Sequence, residues 1–426
     1  MKIKDIATVV NGSTPSSKKK EYYNGDIIWI TPKDLSDQGK KYIYKGERNI
    51  TKEGYCSCST TLIPAENILM SSRAPIGLLA INKNECCTNQ GFKNLVVNKE
   101  ICNVEFLYYY LKYHIKEIKK LGSGTTFKEI SKSDIEKYEL ELPSMEKQIK
   151  IATVLSIIDD KIENNNKINE ELESVAKTIY DYWFLQFEFP NEEGRPYKSS
   201  GGKMVWNDEL KREVPGGWEF GSLKNILSEL ECGNRPKGGC NDSIKDGVPS
   251  IGAENILSIG KYNFSTEKYI SKDYYLSLKK GIVKSNDVLL YKDGAGVGKS
   301  SMAKNNFPYE ECAVNSHVFI LRTKENNLYQ NYLYLTLQKE YIKKILIDLS
   351  MKAAQPGLNQ PSVESVPIII PSTDIIVRFN NIIDILFNKI FSNSNENKEL
   401  TSLRDFLLPL LMNGQVGFRE LALAKD

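Results

Sequence analysis

Leu140-Glu141-Leu142-Pro143 opens a long helical pattern, and Ile368-Ile369-Ile370-Pro371 opens another, 228 positions later. That spacing is far longer than the roughly 20–50-residue periods of solenoids and propellers. The repeated unit is therefore a whole domain followed by a long helix. A chain written as two copies of one module suits a target with two similar halves.

The segments after the two prolines set the architecture. Downstream of Pro371, Ile376, Phe379, Ile383, Leu386 and Ile390 step by three and four, and the stripe resumes at Leu400, Leu403, Leu407 and Leu410 beyond Asn393 and Asn397. This is a heptad seam. Downstream of Pro143 the stripe runs Ile151, Leu155, Ile158 and Ile162, then Ile168 or Asn169, then Leu172, Ile179 and Trp183. About forty residues at about 1.5 Å each make a helix of roughly 60 Å. An isolated long helix with one apolar stripe is rarely stable alone. Asn393 and Asn397 repeat Asn165 and Asn169 at the same offset of 228. A seam asparagine costs stability but sets register. The two helices are therefore expected to pair antiparallel, with these asparagines meeting near the middle.

Upstream of each helix the two copies match in short pieces. Lys4-Asp5-Ile6 and Gly12-Ser13-Thr14-Pro15 match Lys224-Asn225-Ile226 and Gly233-Asn234-Arg235-Pro236. Ile28 to Leu35 matches Val248 to Ile256, and Glu66-Asn67-Ile68-Leu69-Met70 matches Asn286-Asp287-Val288-Leu289-Leu290. Short apolar runs bounded by Gly, Pro, Asn and Asp predict strands joined by turns. Leu and Tyr then recur at helical spacing over 104–120 and 330–346. The expected fold is α+β: two mixed α/β domains in tandem, separated by two long helices that pair as an antiparallel coiled coil. The expected division is a first globular repeat over 1–143, a helical region over 144–188, a polar connector over 189–214, a second repeat over 215–371, a second helical region over 372–414 and a tail over 415–426.

Charge follows this division. Residues 1–143 carry 22 basic and 17 acidic side chains, a net +5, whereas 144–188 carry 5 and 9, a net −4. Residues 215–371 are again basic at +3, and 372–426 are acidic at −1. Basic globular repeats and acidic helices fit either a polyanion-facing surface carried on a scaffold or ordinary variation in surface charge. No apolar run approaches the roughly 18 residues of a membrane span, and Met1-Lys2-Ile3-Lys4-Asp5 lacks a signal-peptide core. A cytoplasmic location is expected. The eight cysteines form no CxxC pair; Cys56, Cys58, Cys86 and Cys87 fit no usual zinc spacing. They are expected to be mostly small buried hydrophobes, with no metal site.

Catalytic motifs are sparse. His114 and His317 are the two histidines and lie in different repeats, which argues against a His-based triad or an HExxH site. Asp293-Gly294-Ala295-Gly296-Val297-Gly298-Lys299-Ser300 puts Asp293 where a P-loop requires glycine. It reads better as a flexible loop carrying Lys292, Lys299 and Ser300, matched in the first copy by Ser71 to Gly77. Both loops carry a cation, small hydroxyls and backbone able to approach a groove.

One further set of residues points to a family. Gly122-Ser123-Gly124-Thr125-Thr126-Phe127-Lys128-Glu129-Ile130-Ser131 leads to Leu140-Glu141-Leu142-Pro143. Glu146-Lys147-Gln148-Ile149, Ile157-Ile158-Asp159-Asp160-Lys161-Ile162 and Tyr182-Trp183-Phe184 follow, and then the connector from Phe189-Pro190-Asn191-Glu192 to Trp206-Asn207. This order resembles the specificity subunit of type I restriction–modification systems over nearly the whole chain. The second repeat departs from it at Met351 to Asn359, where the Gly-Ser-Thr-like motif is replaced.

The resemblance implies two target-recognition domains, each reading one half of a bipartite, gapped double-stranded DNA sequence. It implies helical regions that act as a spacer and bind two methyltransferase subunits, to which restriction subunits add. No cofactor is expected in this chain; S-adenosylmethionine, ATP and Mg are expected on the partners, and the chain itself is expected to be non-catalytic. Two such domains would address DNA segments about one helical turn, roughly 34 Å, apart. The candidate DNA-binding residues are Lys18, Lys19, Lys20, Lys33, Arg73, Gln90, Ser123, Thr125 and Lys128 in the first domain. In the second they are Arg235, Lys237, Lys292, Lys299, Asn315, His317, Lys352, Gln355 and Gln360. Arg favours guanine, and Asn and Gln favour adenine. Three other readings compete: a specificity chain serving a fused restriction–methylation enzyme, a protein-binding coiled-coil scaffold, and an NTPase built on Gly294–Ser300.

Overall fold

The computed structural model describes residues 1–73, 75–123, 128–236, 247–352 and 357–417. The chain forms two compact units, one of residues 1–163 with 399–426 and the other of residues 164–398. Each unit combines one globular repeat with a share of both long helices, α1 (Met145–Tyr180) and α2 (Thr373–Met412). Among the described residues, no helix is long and apolar enough to cross a membrane.

The first repeat is built on β1 (Ala7–Asn11), β2 (Ile68–Met70), β3 (Leu79–Asn82) and β4 (Lys93–Val97), in the order β1-β4-β2-β3 with Tyr42–Ile43 added at the β3 edge. The second is built on β5 (Leu227–Cys232), β6 (Val288–Tyr291), β7 (Ser300–Met302) and β8 (Val318–Thr323), in the order β5-β8-β6-β7. Strand for strand the order is the same, and all of these labelled pairs are antiparallel. A second small sheet is also shared. Tyr23–Ile30 pairs antiparallel with Arg48–Ile50 and parallel with Cys87–Thr88, as Val248–Ile251 pairs antiparallel with Tyr269–Ile270 and parallel with Ala313–Val314. Trp29 is thereby the counterpart of Ser250.

The turns repeat too. Glu66 and Asn286 precede equivalent strands with φ of 61° and 71°. This left-handed geometry suits asparagine better than glutamate. The Gly294–Ser300 segment joins two antiparallel strands, β6 and β7, through a short 3-10 turn. A phosphate-cradling loop needs a helix after the strand, so this hairpin geometry removes the NTPase reading.

The helices pair antiparallel, as their seams predicted. Within the second unit, Asn165 Nδ2 donates to Asn397 Oδ1 at 2.9 Å and Asn393 Nδ2 donates to Asn169 Oδ1 at 2.9 Å. Four residues forward on α1 thus match four residues back on α2. Asn165, Asn169 and Asn393 are at most 5 % exposed; unpaired, such carboxamides would carry a desolvation penalty. Asn397 also donates to Asn166 at 2.9 Å. Ile376, Phe379, Ile383 and Ile390 are fully buried, while Leu172 and Leu386 pack partly buried against the same core. The expected seam needs one adjustment here: Phe387, not Leu386, is fully buried, because α2 must also cover the globular repeat and its buried stripe is wider than an a/d seam. In the first unit Ile151, Leu155 and Ile158 are buried, Ile162 is half-buried, and Leu408 and Leu411 of α2 share the core with Ile151 and Leu155. The expected stripe is displaced in this part of α2: Leu400, Leu407 and Leu410 are half-buried and Leu403 is exposed, while Leu408 and Leu411 take the buried places, because the helix turns the next position toward the globular repeat.

The segment expected as a polar connector has structure of its own. A π-turn at Asp181–Leu185 ends α1, and Met204–Asn207 pairs with Arg212–Pro215 as a hairpin. Phe189 stacks between Tyr197 at 4.5 Å and Trp218 at 5.2 Å. The aromatic residues scattered through this Gly/Ser-containing stretch supply its core.

Candidate nucleic-acid interface

In each repeat a set of loops gathers beyond the strand ends, held by one backbone frame. Asn89 N donates to Ile30 O at 3.1 Å, and Asn315 N to Ile251 O at 2.9 Å. The asparagine carboxamide then caps its own turn: Gly91 N donates to Asn89 Oδ1 at 2.9 Å, and His317 N to Asn315 Oδ1 at 2.8 Å. This is the Asx-turn for which asparagine is favoured. The next loop joins through Ser72 N to Gly91 O at 2.7 Å, and through Lys292 N to His317 O at 3.1 Å. A third strand of chain closes the frame through Ile130 N to Ser72 O at 3.0 Å, and through Leu358 N to Lys292 O at 2.8 Å. The last match shows that the divergent Met351 to Asn359 stretch ends in the same backbone role as the Gly-Ser-Thr-like motif of the first copy. Gly12 and Gly233 complete the frames. A Cβ at Gly12 would collide with the carbonyl oxygens of Thr88 and Asn89, and one at Gly233 with that of Val314.

The side chains on these frames differ. In the first repeat the Arg73 backbone forms an isolated β-bridge with that of Glu129, and its half-buried side chain lies against Gly91. Lys93 is 7 % exposed, with Nζ 3.0 Å from Glu129 Oε1 and 3.5 Å from Ser72 Oγ. In the second, the strand position of Lys93 holds Phe319 and the loop position of Ser72 holds Lys292, whose Nζ lies 5.3 Å from the Phe319 ring centroid. An ammonium occupies both frames, entering from the strand in one and from the loop in the other. The counterpart of Arg73 is Asp293, and that of Gly91 is His317; their side chains meet, Nδ1 to Oδ2, at 2.7 Å.

The predicted residues divide accordingly. Arg73, Gln90, Ser123 and Lys128 border the first frame: Thr14 Oγ1 donates to Gln90 Oε1, and Ser123 bridges Glu129. Lys18, Lys19 and Lys20 are exposed on the loop leaving Gly12. The Tyr22 hydroxyl, 3.0 Å from Lys19 Nζ, raises the Lys19 pKa. Lys33 is exposed and ion-paired with Glu47 at 3.1 Å, which raises its pKa. In the second repeat Lys292 and His317 lie on the frame, Lys299 is exposed on the hairpin loop, and Arg235 and Lys352 are exposed. Gln360 is exposed and donates to the Leu230 carbonyl. Asn315 differs from its expected role: it is 3 % exposed with its oxygen on His317 N, so it shapes the loop instead of presenting a carboxamide to solvent. Thr125, Lys237 and Gln355 lie outside the described residues.

Sequence reasoning missed Asn89, Lys93, Glu129 and Asp293. Asn89 was discoverable, since Asn-x-Gly is a turn signature, but the offset between copies drifts from 221 at Gly12/Gly233 to 226 at Asn89/Asn315 and 228 at Pro143/Pro371. Of the four clustered cysteines, Cys86 and Cys87 are buried as expected, whereas Cys56 is exposed and Cys58 half-buried, since they lie at the end of a short surface helix. Burial pushes the Cys86 thiol up to about 12 and the Cys87 thiol up to about 11, which suits small core residues.

A family model described as the type I restriction modification DNA specificity domain matches residues 1–174 and again residues 215–402. The type I restriction enzyme MjaIX specificity subunit of Methanocaldococcus jannaschii is 36 % identical over 427 residues, covering 99 % of this chain and 94 % of that protein. The HindI specificity subunit of Haemophilus influenzae is 28 % identical over 384 residues, covering 75 % and 79 %. The crystal structure of a type I restriction–modification S subunit from M. genitalium superposes with a TM-score of 0.58 at 17 % identity, covering 96 % of this chain and 95 % of that one. With two matched domains and a relative aligned along nearly its whole length, the chain belongs to the type I restriction–modification DNA specificity family.

Proposed function

We propose that each repeat reads one half of a bipartite, gapped double-stranded DNA sequence, and that the helix pair docks two copies of one methyltransferase subunit. Restriction subunits join through those methyltransferases. The chain recognises DNA and leaves the chemistry to its partners. S-adenosylmethionine belongs to the methyltransferases, and ATP and Mg to the restriction subunits.

The observation that carries the docking half of this reading is a repeat among exposed apolar residues. Within the first unit, Ile149 and Ile157 on α1 and Leu403 on α2 are 47 %, 62 % and 47 % exposed. Within the second, Val377 and Ile385 on α2 and Val175 on α1 are 43 %, 69 % and 47 % exposed. Each residue of one set stands 228 positions from its counterpart in the other. Scattered exposed apolar residues need no explanation, but a set repeated on two units supports two like docking sites. The reading half rests on the matched frames with unmatched side chains: phosphate contacts from exposed lysines position, and groups such as Arg73 specify.

The test is a methylome. The chain is co-expressed with its methyltransferase in a methylation-free host, and modified bases are read by single-molecule sequencing. A gapped two-part motif, one part of which is lost when residues 1–143 are exchanged, is expected. A stable complex that modifies nothing, with a methyltransferase active beside another specificity chain, would sink the reading. Arg73→Ala is expected to relax one base position of the first half-site or weaken binding by about 1–3 kcal/mol. Unchanged affinity and motif would remove Arg73 from the reader.

A further inference from the structure

The pair formed by Asp293 and His317 is a prepared hydrogen-bonding head. The backbone of His317 is held at both ends, its N–H on the buried Asn315 carboxamide and its carbonyl on Lys292 N. Its ring is held by Asp293, with Nδ1 and Oδ2 2.7 Å apart. Asp293 is itself confined. A Cβ at Gly357, where φ is 151°, would strike its Oδ1, and Lys292 Nζ lies 3.9 Å from its Oδ2. The imidazole nevertheless keeps 39 % of its side-chain surface in solvent. A side chain fixed this firmly and left open is equipped to meet a ligand.

The chemistry of the pair decides which kind. A carboxylate can only accept, so the ring nitrogen facing it carries the proton, and Nε2 of the neutral ring is left as a bare acceptor. In the major groove an acceptor matches the exocyclic amino groups, N6 of adenine or N4 of cytosine, and opposes the N7 and O6 of guanine and the O4 of thymine. We infer that His317 is a specificity-determining residue of the second repeat, that its Nε2 reads an amino-bearing base, and that Asp293 is the positioning residue that sets its tautomer. The same frame in the first repeat holds Arg73 against Gly91, a pure donor. The two repeats thus present opposite hydrogen-bonding polarity from one backbone design.

This inference rests on the two-reader function proposed above, and the experiment separates the two. The full chain and its methyltransferase are co-expressed, and motifs are mapped for wild type, His317→Ala, Asp293→Asn and Asp293→Ala. In His317→Ala one adenine or cytosine of the second half-site is expected to lose its preference by about tenfold or more, with the first half-site unchanged; the base identified distinguishes the two amino groups. Asp293→Asn is the sharper test, because an amide can donate to Nδ1 and turn Nε2 into a donor. It is expected to admit guanine or thymine at that same position, an outcome that loss of packing does not produce. Asp293→Ala is expected to relax the position without inverting it. A wild-type two-part motif that stays unchanged in His317→Ala overturns the inference and leaves the two-reader function standing. A wild type with no two-part motif overturns both. If His317→Ala gives no methylation at all, purified complexes are compared for binding to oligonucleotides substituted singly through the second half-site. Uniform loss at every position overturns the inference, and loss confined to one amino-bearing base supports it.

Discussion

The two units hold their globular repeats to the helices by opposite means at equivalent positions. In the first unit Asp159 of α1 accepts from Arg404 Nη1 of α2 and from the Tyr109 hydroxyl, both at 2.7 Å. In the second unit the counterparts are Phe387, Ala176 and Leu335, all fully buried in one apolar core. Around them Ile151, Leu408 and Leu411 correspond to Phe379, Tyr180 and Trp183, so aliphatic packing in one unit faces aromatic packing in the other. A neighbouring polar cluster is turned around. In the first unit Glu105 of the repeat accepts from Ser156 of α1 at 2.6 Å, and Lys41 donates to Ser156 at 2.7 Å. In the second, Asp384 of α2 accepts from Asn331 of the repeat at 3.2 Å and from Lys304 at 2.6 Å. Burial holds the Lys41 ammonium below its ordinary range, even with Glu105 beside it. One backbone design therefore tolerates either an ionic or an aromatic seal. The ionic one is not the stronger for being charged, since desolvation offsets much of its attraction.

That comparison can be broken most severely at the seals themselves. Arg404→Ala leaves Asp159 without its cation and is expected to destabilise the first unit by about 3–5 kcal/mol. Phe387→Ala is expected to cost a similar ~3–5 kcal/mol in the second through the cavity it opens. Transplanting the aromatic solution with Tyr109→Leu, Asp159→Phe and Arg404→Ala together should recover most of the first loss. Urea denaturation of the full chain measures all three, and a triple variant no better than Arg404→Ala would mean that the seals are not interchangeable.

A smaller effect is expected at the asparagine ladder between the helices. Asn169→Leu alone strands the Asn393 carboxamide and should cost about 1–3 kcal/mol, whereas Asn169→Leu with Asn393→Leu should cost less than the two single changes added. Full additivity in the thermal midpoints would show that the pair is not coupled. The smallest effect on stability belongs to the docking residues. Ile157→Glu and its counterpart Ile385→Glu should each change stability by no more than about 0.5 kcal/mol. Each should also reduce the number of bound methyltransferases from two to one by native mass spectrometry. Two still bound in either variant would remove that residue from a docking site.

Much of this was legible in one dimension. The offset of 228 and the steps of three and four along α1 and α2 are periodic, and periodicity survives in a single sequence. So the tandem plan, the long helices, their antiparallel pairing and the meeting of the asparagines could all be read in advance. Phe387 was passed over because a heptad template looks for one seam, and α2 buries two faces. The polar groups of the reading frames carry no period at all. Lys93 and Lys292 fill the same place, one from a strand and the other from a loop, and no alignment of the copies reveals that exchange.

The repeat, the antiparallel pairing of the helices and the family are all written in spacing along the chain. Folding in three dimensions sets which side chains share a loop frame, that Asp293 holds His317, that Asn315 turns inward, and that one unit seals with an ion pair where the other uses phenylalanine. The reason is physical. Hydrogen bonds between loops dozens of residues apart depend on where the strands end in space, and sequence separation does not encode that distance.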